Sequence, residues 1–320
     1  MEWIVQAALL TALAALLSWL VLNTLDRLRG RGVQSGFEFL WQPAGFEIGE
    51  SVFAYDSGHS FWRAFLVGLA NTVRVALPAI ALATLAGLVI GVGQLTRNWL
   101  VRKLCTGYVE LVRNVPLLVQ LLTWYFTLTE LLPPSMQALQ LGPFFLSKSG
   151  FAFPWPVWEP GAWWPAALDV PRAGTFNVSG GAAVTPEYLA VLMGLSTYTA
   201  AFVAETVRAG MQSVPPGQVQ AAQALGLRPA QVTRRVVLPQ ALRLIVPSIT
   251  NQYLNLTKNS SLAVAVGYPD LVSVANTAIN QTGRAFECIA VIMAVYLTLS
   301  LATSWAMNLY NARVALRGAG

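Results

Sequence analysis

The chain has 320 residues, of which 55% are apolar and only 11% charged, with a formal net charge of +6. A soluble domain carries about a quarter charged residues, so this composition, with a mean hydropathy of +0.55, excludes an ordinary soluble enzyme and a disordered chain. The basic residues are scattered between apolar runs, which marks them as topology signals and anionic-lipid contacts rather than a nucleic-acid patch.

In chain order, residues 3–25 form the first apolar run. It lacks a basic start and is longer than a signal-peptide core, so a retained spanning helix is expected. The polar, Gly-bearing stretch 26–62 is too interrupted to span, giving an N-terminal helix and linker over 1–62 and a membrane domain over 63–320. The second span covers about 65–96, and its 22 uncharged residues from Val75 to Thr96 are enough helix for the hydrocarbon core. Pro78 is expected to kink it, and Gly87 with Gly91 forms a small-xxx-small pair for close packing.

Arg97, Arg102 and Lys103 mark a membrane end before the third span, about 104–132, which carries Glu110, Arg113, Asn114 and Pro116. Residues 133–186, with Trp155, Trp158, Trp163 and Trp164, read as an extramembrane insertion or interfacial loop without a role of its own. A fourth span at about 187–211 leads to a basic loop, about 212–240, with Arg228, Arg234 and Arg235. The fifth span, about 241–266, is interrupted by Lys258, and the sixth runs over 288–312 before Arg313 and Arg317. An all-α membrane protein with about six transmembrane helices is expected. The positive-inside rule puts the basic clusters at 97–103, 228–243 and 313–317 on the cytoplasmic side, with the N-terminus inside and Arg27, Arg29 and Arg31 outside.

Covalent chemistry is closely bounded. His59 is the only histidine, so no paired-histidine metal motif exists and neither a metal site nor a catalytic residue is expected. Lys103, Lys148 and Lys258 follow Arg, Ser and Thr, which excludes a Gly-Lys-Ser/Thr phosphate loop. Any ATP that drives the protein is hydrolysed by another chain. Cys105 and Cys288 are expected as two free, packed thiols.

The charges inside spans carry more information. Glu110 and Arg113 share a helical face with Asn114 beside them, and Glu205 and Arg208 repeat the spacing. Such residues in a membrane line a pathway or neutralise one another. Both readings stand for Glu110–Arg113; for Glu205–Arg208, nearer the basic loop, mutual neutralisation leads. Pro116 frees an upstream carbonyl and bends the helix just beyond, and charges of both signs beside free backbone groups suit a zwitterion. In the fifth span Asn251, Asn255, Lys258 and Asn259 fall at i, i+4, i+7 and i+8, a polar stripe with Ser260 next to it, expected to face a pathway rather than lipid. Lys258 meets a substrate carboxylate or pairs with Glu110 or Glu205. His59, Arg63, Arg74 and Glu130 lie near membrane ends, where solvated or snorkelling side chains are expected.

The most specific signal is Gln220-Ala221-Ala222, three residues, Gly226, nine residues, then Val236-Val237-Leu238-Pro239. Locally it predicts a helix–turn–helix: Pro216 suits a first helical position, Gly226 a helix C-terminus, Pro229 a second start, and Pro239 its end. The small Ala221 and Ala222 allow a partner to approach closely. The spacing resembles the E-A-A-x3-G-x9-I-x-L-P motif of ATP-binding-cassette importer permeases, with Gln220 for Glu and Val236 for Ile. Leu69-Ala70-Asn71-Thr72, residues 108–118, Lys258-Asn259-Ser260-Ser261-Leu262 and Gly267-Tyr268-Pro269-Asp270-Leu271 resemble the polar amino-acid branch, and among these the general L-amino-acid importers.

The resemblance runs from about Phe65 to the C-terminus. It implies a type I importer permease fold whose cytoplasmic coupling helix, carrying Gln220, Ala221, Ala222, Gly226, Val236, Leu238 and Pro239, docks on an ATPase subunit. It also implies alternating-access transport of polar or general L-amino acids across the bacterial inner membrane. The implied partners are a second permease, homologous or identical, two ATPase subunits that hold ATP-Mg, and an extracytoplasmic amino-acid-binding protein, with no cofactor in this chain. The residues alone leave one alternative, an ion-coupled secondary transporter or channel using Glu110 and Glu205, although no inverted repeat is evident.

Overall fold

The computed structural model describes residues 2–30, 36–158, 163, 165, 167–174 and 177–316; Arg31, Trp164 and Arg317 lie outside them. The chain opens with helix α1 (Glu2–Gly30). A 3-10 turn at Phe37–Trp41 and an extended linker then lead to α2 (Phe61–Gln94), capped by Ser60. Next come α3 (Trp99–Asn114), α4 (Leu117–Phe126) and a π-helical turn, Thr127–Leu131, that prolongs α4.

The insertion after α4 is built of short strands: β1 (Leu139–Leu141), β2 (Phe144–Ser147), β3 (Gly150–Phe153), β4 (Trp155–Val157), β5 (Ala167–Asp169), β6 (Arg172–Ala173), β7 (Val178–Ser179) and β8 (Ala182–Val184). They form an antiparallel sheet in the order β1-β2-β3-β8 and two hairpin-like pairs, β4-β5 and β6-β7. Thus the membrane part is helical, and the segment expected as an extramembrane insertion or an interfacial loop is built as a small β cap. Then follow α5 (Pro186–Gln212), α6 (Pro216–Ala224), α7 (Pro229–Val232), a π turn at Thr233–Val237, α8 (Leu238–Asn259), a 3-10 turn at Ser260–Val266, α9 (Leu271–Thr282) and α10 (Ala285–Leu316).

Among the described residues α2, α5 and α10 are each long and apolar enough to cross a membrane, and the α7-to-α9 segment passes as one span bent by 53°. One of the six expected spans is therefore broken, and the chain bends just past the end of another. The third divides at Val115, held extended (φ −97°, ψ 127°) because the ring of Pro116 disfavours helix at the residue before it. The fifth is continuous to Val266; the bend follows at Gly267, whose φ of +79° is readily available only to glycine, and Asp270 then caps α9 by accepting from Ser273 N at 2.8 Å. Pro78, by contrast, sits within an unbroken α2.

The core lies between α2 and α5, with Val75, Ala79 and Ala83 of α2 packed on Val191 and Leu195 of α5 and Leu121 of α4. Gly87 and Gly91 make this approach possible. A Cβ on Gly87 would stand 2.6 Å from the Val203 side chain, and one on Gly91 2.8 Å from the Ala204 carbonyl oxygen. A second cluster at the other end of α2 packs Phe39 of the linker on Phe61, Phe65, Leu271 and Cys288. Cys105 and Cys288 are both free thiols.

Two sequence motifs far apart in the chain meet at the bend. Asn71 Nδ2 donates to Pro269 O at 2.9 Å and to Glu50 O at 2.7 Å. Tyr268 OH donates to Asn71 O at 3.0 Å, and Leu271 N to Thr72 Oγ1 at 3.1 Å. Arg74, expected to be solvated, is instead paired with Glu50 at 3.0 Å, and the other oxygen of Glu50 accepts from Thr185 Oγ1 at 2.9 Å. The linker brings Glu50 back over α2, a contact that helical spacing does not reveal. His59, Arg63 and Glu130 remain partly or fully exposed, as expected.

Candidate functional site

The candidate site is a groove between α5 and α8, flanked by the break after α3. Its lower half is a cavity of about 370 Å³ lined by Glu205, Thr206, Ala209 and Gly210 of α5 and Leu244 and Ser248 of α8. The upper half, about 310 Å³, is lined by Tyr198, Thr199 and Phe202 of α5 and Gln252, Asn255, Leu256 and Asn259 of α8. The helices approach closely because a Cβ on Gly210 would lie 2.3 Å from Ile245. Lining positions recur every three or four residues on both helices, so each presents one continuous face of mixed polarity to the groove.

Of the α8 stripe, Asn251, Asn255 and Lys258 are exposed in this single chain and Asn259 is half-buried. Ser260 is placed differently: it is fully buried, with its hydroxyl donating to Thr257 O at 2.7 Å. Nine residues after Asn251, it falls on the opposite side of the helix from the stripe. Lys258 pairs with neither Glu110 nor Glu205 among the described residues.

Glu110, Arg113 and Asn114 all occupy the exposed side of the last two turns of α3. Glu110 and Arg113 form no ion pair among the described residues; the Arg113 guanidinium instead lies over the Phe202 ring, 5.2 Å from its centroid. Such a cation–π contact holds the cation without neutralising it. Glu205 and Arg208 do neutralise one another. Arg208 Nε donates to Glu205 Oε2 at 2.8 Å and Nη2 to Oε1 at 2.5 Å, while Nη1 reaches Gln212 Oε1. A bidentate pair of this kind leaves little capacity for a ligand.

Two contributors were not visible from spacing alone. Gln120 folds its amide back across the proline break and donates from Nε2 to Val112 O and Val115 O, each at 2.9 Å. The Val112 carbonyl freed by Pro116 is thus already satisfied by protein. Phe202, an apolar residue in an apolar run, is the platform for Arg113.

The second functional element is the loop between α5 and α8. Pro216 occupies the first position of α6, and Pro229 that of α7. Gly226, at φ +79°, lets its own N–H bond to Gln223 O at 2.9 Å while Leu227 N bonds to Ala222 O at 3.2 Å, a left-handed helix stop. Ala222 and Val232 are buried between the two short helices, whereas Gln220 and Ala221 are exposed, and Leu225 at the tip is 83% exposed. Pro239 does not end a helix, contrary to expectation. The wide turn at Thr233–Val237 accommodates its ring and missing N–H, so α7 runs through Val236 and Leu238 into α8 as one helical segment, Pro229–Val266.

Comparison with known proteins agrees with this architecture. Residues 83–316 match the family described as the binding-protein-dependent transport system inner membrane component. The chain is 42% identical to the general L-amino acid transport system permease protein AapQ of Rhizobium johnstonii, over 97% of this chain and 91% of that protein. It is 40% identical to the putative amino-acid ABC transporter permease protein YhdX of Escherichia coli K12, over 98% and 94% of the two chains. Among solved structures, an amino acid ABC transporter with histidines superimposes with a TM-score of 0.58 at 26% identity, covering 79% of this chain and 95% of that one. The inward-facing MetNI methionine ABC transporter, at 18% identity and a TM-score of 0.54 over 79% and 97%, shares the fold. The chain therefore belongs to the family of binding-protein-dependent transport system inner membrane components, and is a multi-pass ABC importer permease of the bacterial inner membrane.

Proposed function

We propose that this permease carries polar L-amino acids through the α5–α8 groove, as one of a pair of permeases served by two ATPase subunits that hold ATP-Mg. An amino-acid-binding protein delivers the cargo at the outer face. The supporting observation is the upper cavity of about 310 Å³, lined by amides and hydroxyls beside Phe202 and Leu256, with Lys258 adjoining Asn259 and Arg113 stacked on Phe202, neither cation held by a carboxylate among the described residues. The cavity is at the small end of ligand-site volumes. In this reading one of the two cations receives the α-carboxylate, while Glu110 or the amide oxygens of Asn255 and Asn259 receive the ammonium. Glu205 and Arg208 serve as a closed, self-neutralised pair below the site.

Coupling follows from helix continuity. ATPase closure displaces the surface of α6 that carries Gln220, Ala221 and Leu225. Because α7 passes into α8 without a break, that displacement reaches the polar stripe as a rigid movement. The test is uptake of labelled amino acids into proteoliposomes containing this chain with its co-purifying subunits, with ATP sealed on the ATPase side. Uptake that needs both ATP and binding protein is expected, with competition ranking the cargo. Uptake that ignores ATP and follows a proton or Na⁺ gradient would refute this reading in favour of ion coupling.

A further inference from the structure

The β1-β2-β3-β8 sheet has one wholly apolar face. Leu139 stands opposite Leu146, Leu146 opposite Phe151 and Phe151 opposite Val184, a single cross-strand row on one side of the sheet. Leu141 and Phe144, paired with each other, lie on that same side, and Phe144 stacks on Phe151 with ring centroids 5.8 Å apart. At one edge the row is covered, since Val184 packs on the core cluster that contains Leu121 and Tyr188. At the other it is open: Leu139 and Leu141 are 55% and 81% exposed and border a cavity of about 350 Å³. The face that rests on the membrane helices at Val184 therefore overhangs them at Leu139 and Leu141.

What lies under the overhang follows from where the sheet is tied. β8 runs directly into Thr185, the cap of α5. The β2–β3 turn is held to the end of the α4 segment by Lys148 N, which donates to Pro133 O at 2.9 Å. Large exposed apolar residues follow one another from Leu131 at that helix end through Met136 to Leu139 and Leu141, so the surface continues that of a membrane-facing helix. No residue of β1, β2 or β3 is charged. Hydrocarbon and aromatic side chains without charge match the boundary of a lipid leaflet, not the polar rim of a soluble partner's interface.

We propose that this sheet face seats on the outer leaflet of the bilayer, with Leu139 and Leu141 at the acyl boundary. The insertion is then a lateral membrane anchor that holds the outer ends of α4 and α5, independent of which solute is carried.

The experiment places an environment-sensitive fluorophore at Leu141→Cys, at Leu139→Cys, and at Gln140→Cys on the opposite face, in a Cys105→Ser background where Cys288 stays buried. The full chain, with its co-purifying subunits, is reconstituted in nanodiscs of phosphatidylethanolamine and phosphatidylglycerol containing nitroxide-labelled lipid. Blue-shifted emission and strong quenching at 139 and 141, with little at 140, is the expected result. Equal quenching at all three positions overturns the proposal. So does a label at 139 or 141 that lipid leaves unquenched and that only added binding protein, or a second permease, shields.

Discussion

Lys258 is the residue whose retention most needs an explanation. An ammonium group held in the hydrocarbon costs about 2.5–3.5 kcal/mol on insertion scales, and here it is exposed on α8 with no acidic partner among the described residues. If it receives the cargo's carboxylate, Lys258→Met forfeits a charged hydrogen bond worth about 1.5–3 kcal/mol, which is roughly tenfold or more in KM for uptake. Lys258→Arg should retain much of the affinity. An unchanged KM for Lys258→Met in ATP-driven uptake would remove the residue from the pathway. Gln120 poses a different question, one of stability. Its amide satisfies two carbonyls at the α3–α4 break, and an orphaned buried acceptor costs about 1–3 kcal/mol. Both Gln120→Leu and Gln120→Glu, which is nearly isosteric but has no N–H to give, should lower the thermal midpoint in detergent. A normal midpoint for Gln120→Glu would show that water replaces the amide there.

Elements make the same distinction between holding and signalling. The α6–α7 loop was legible almost to the residue, because Pro216, Gly226 and Pro229 encode their conformations locally, whatever surrounds them. Pro239 was misread for the complementary reason: whether a proline stops a helix depends on whether the preceding turn can widen, and Thr233–Val237 does so. Gly226 tests the loop's rigidity. At φ +79° an alanine costs about 1–2 kcal/mol, so Gly226→Ala should loosen α6 and raise the ATP hydrolysed per amino acid imported. An unaltered ratio would mean that the loop's stiffness is irrelevant to coupling. Leu225 tests its surface. Being 83% exposed, it supports nothing within this chain, whereas covering it in a partner's groove is worth about 1.5–3 kcal/mol. Leu225→Ser should therefore reduce recovery of the ATPase with the purified permease and leave the permease's own melting unchanged. Lower stability of the isolated chain would assign Leu225 to folding instead.

At the scale of the molecule, hydropathy located the membrane segments but not the contacts that bind distant ones. Nothing in the spacing of Asn71, Tyr268 and Glu50 announces that they meet, since two of the intervening stretches are a linker and a bent span; nor did alternation mark the eight strands, of two to four residues each, among the described residues. The polar stripe of α8 was legible as a pattern, and the structure adds its direction. Asn251, Asn255 and Lys258 are exposed, with Asn255 at the mouth of the upper cavity, on a face that lipid cannot solvate. A bilayer leaves two ways to cover it, water or protein, and a groove open along its length to a second permease provides both. A cysteine at Asn251, joined by a short bifunctional reagent in intact membranes, should accordingly give a product with the mass of two permeases, and the yield should change when ATP is trapped by the ATPases. The product's composition then distinguishes an identical partner from a homologous one. If instead the cysteine couples to nothing and is quenched by nitroxide lipid, the stripe faces the bilayer and the pathway must be sought on another face of α5.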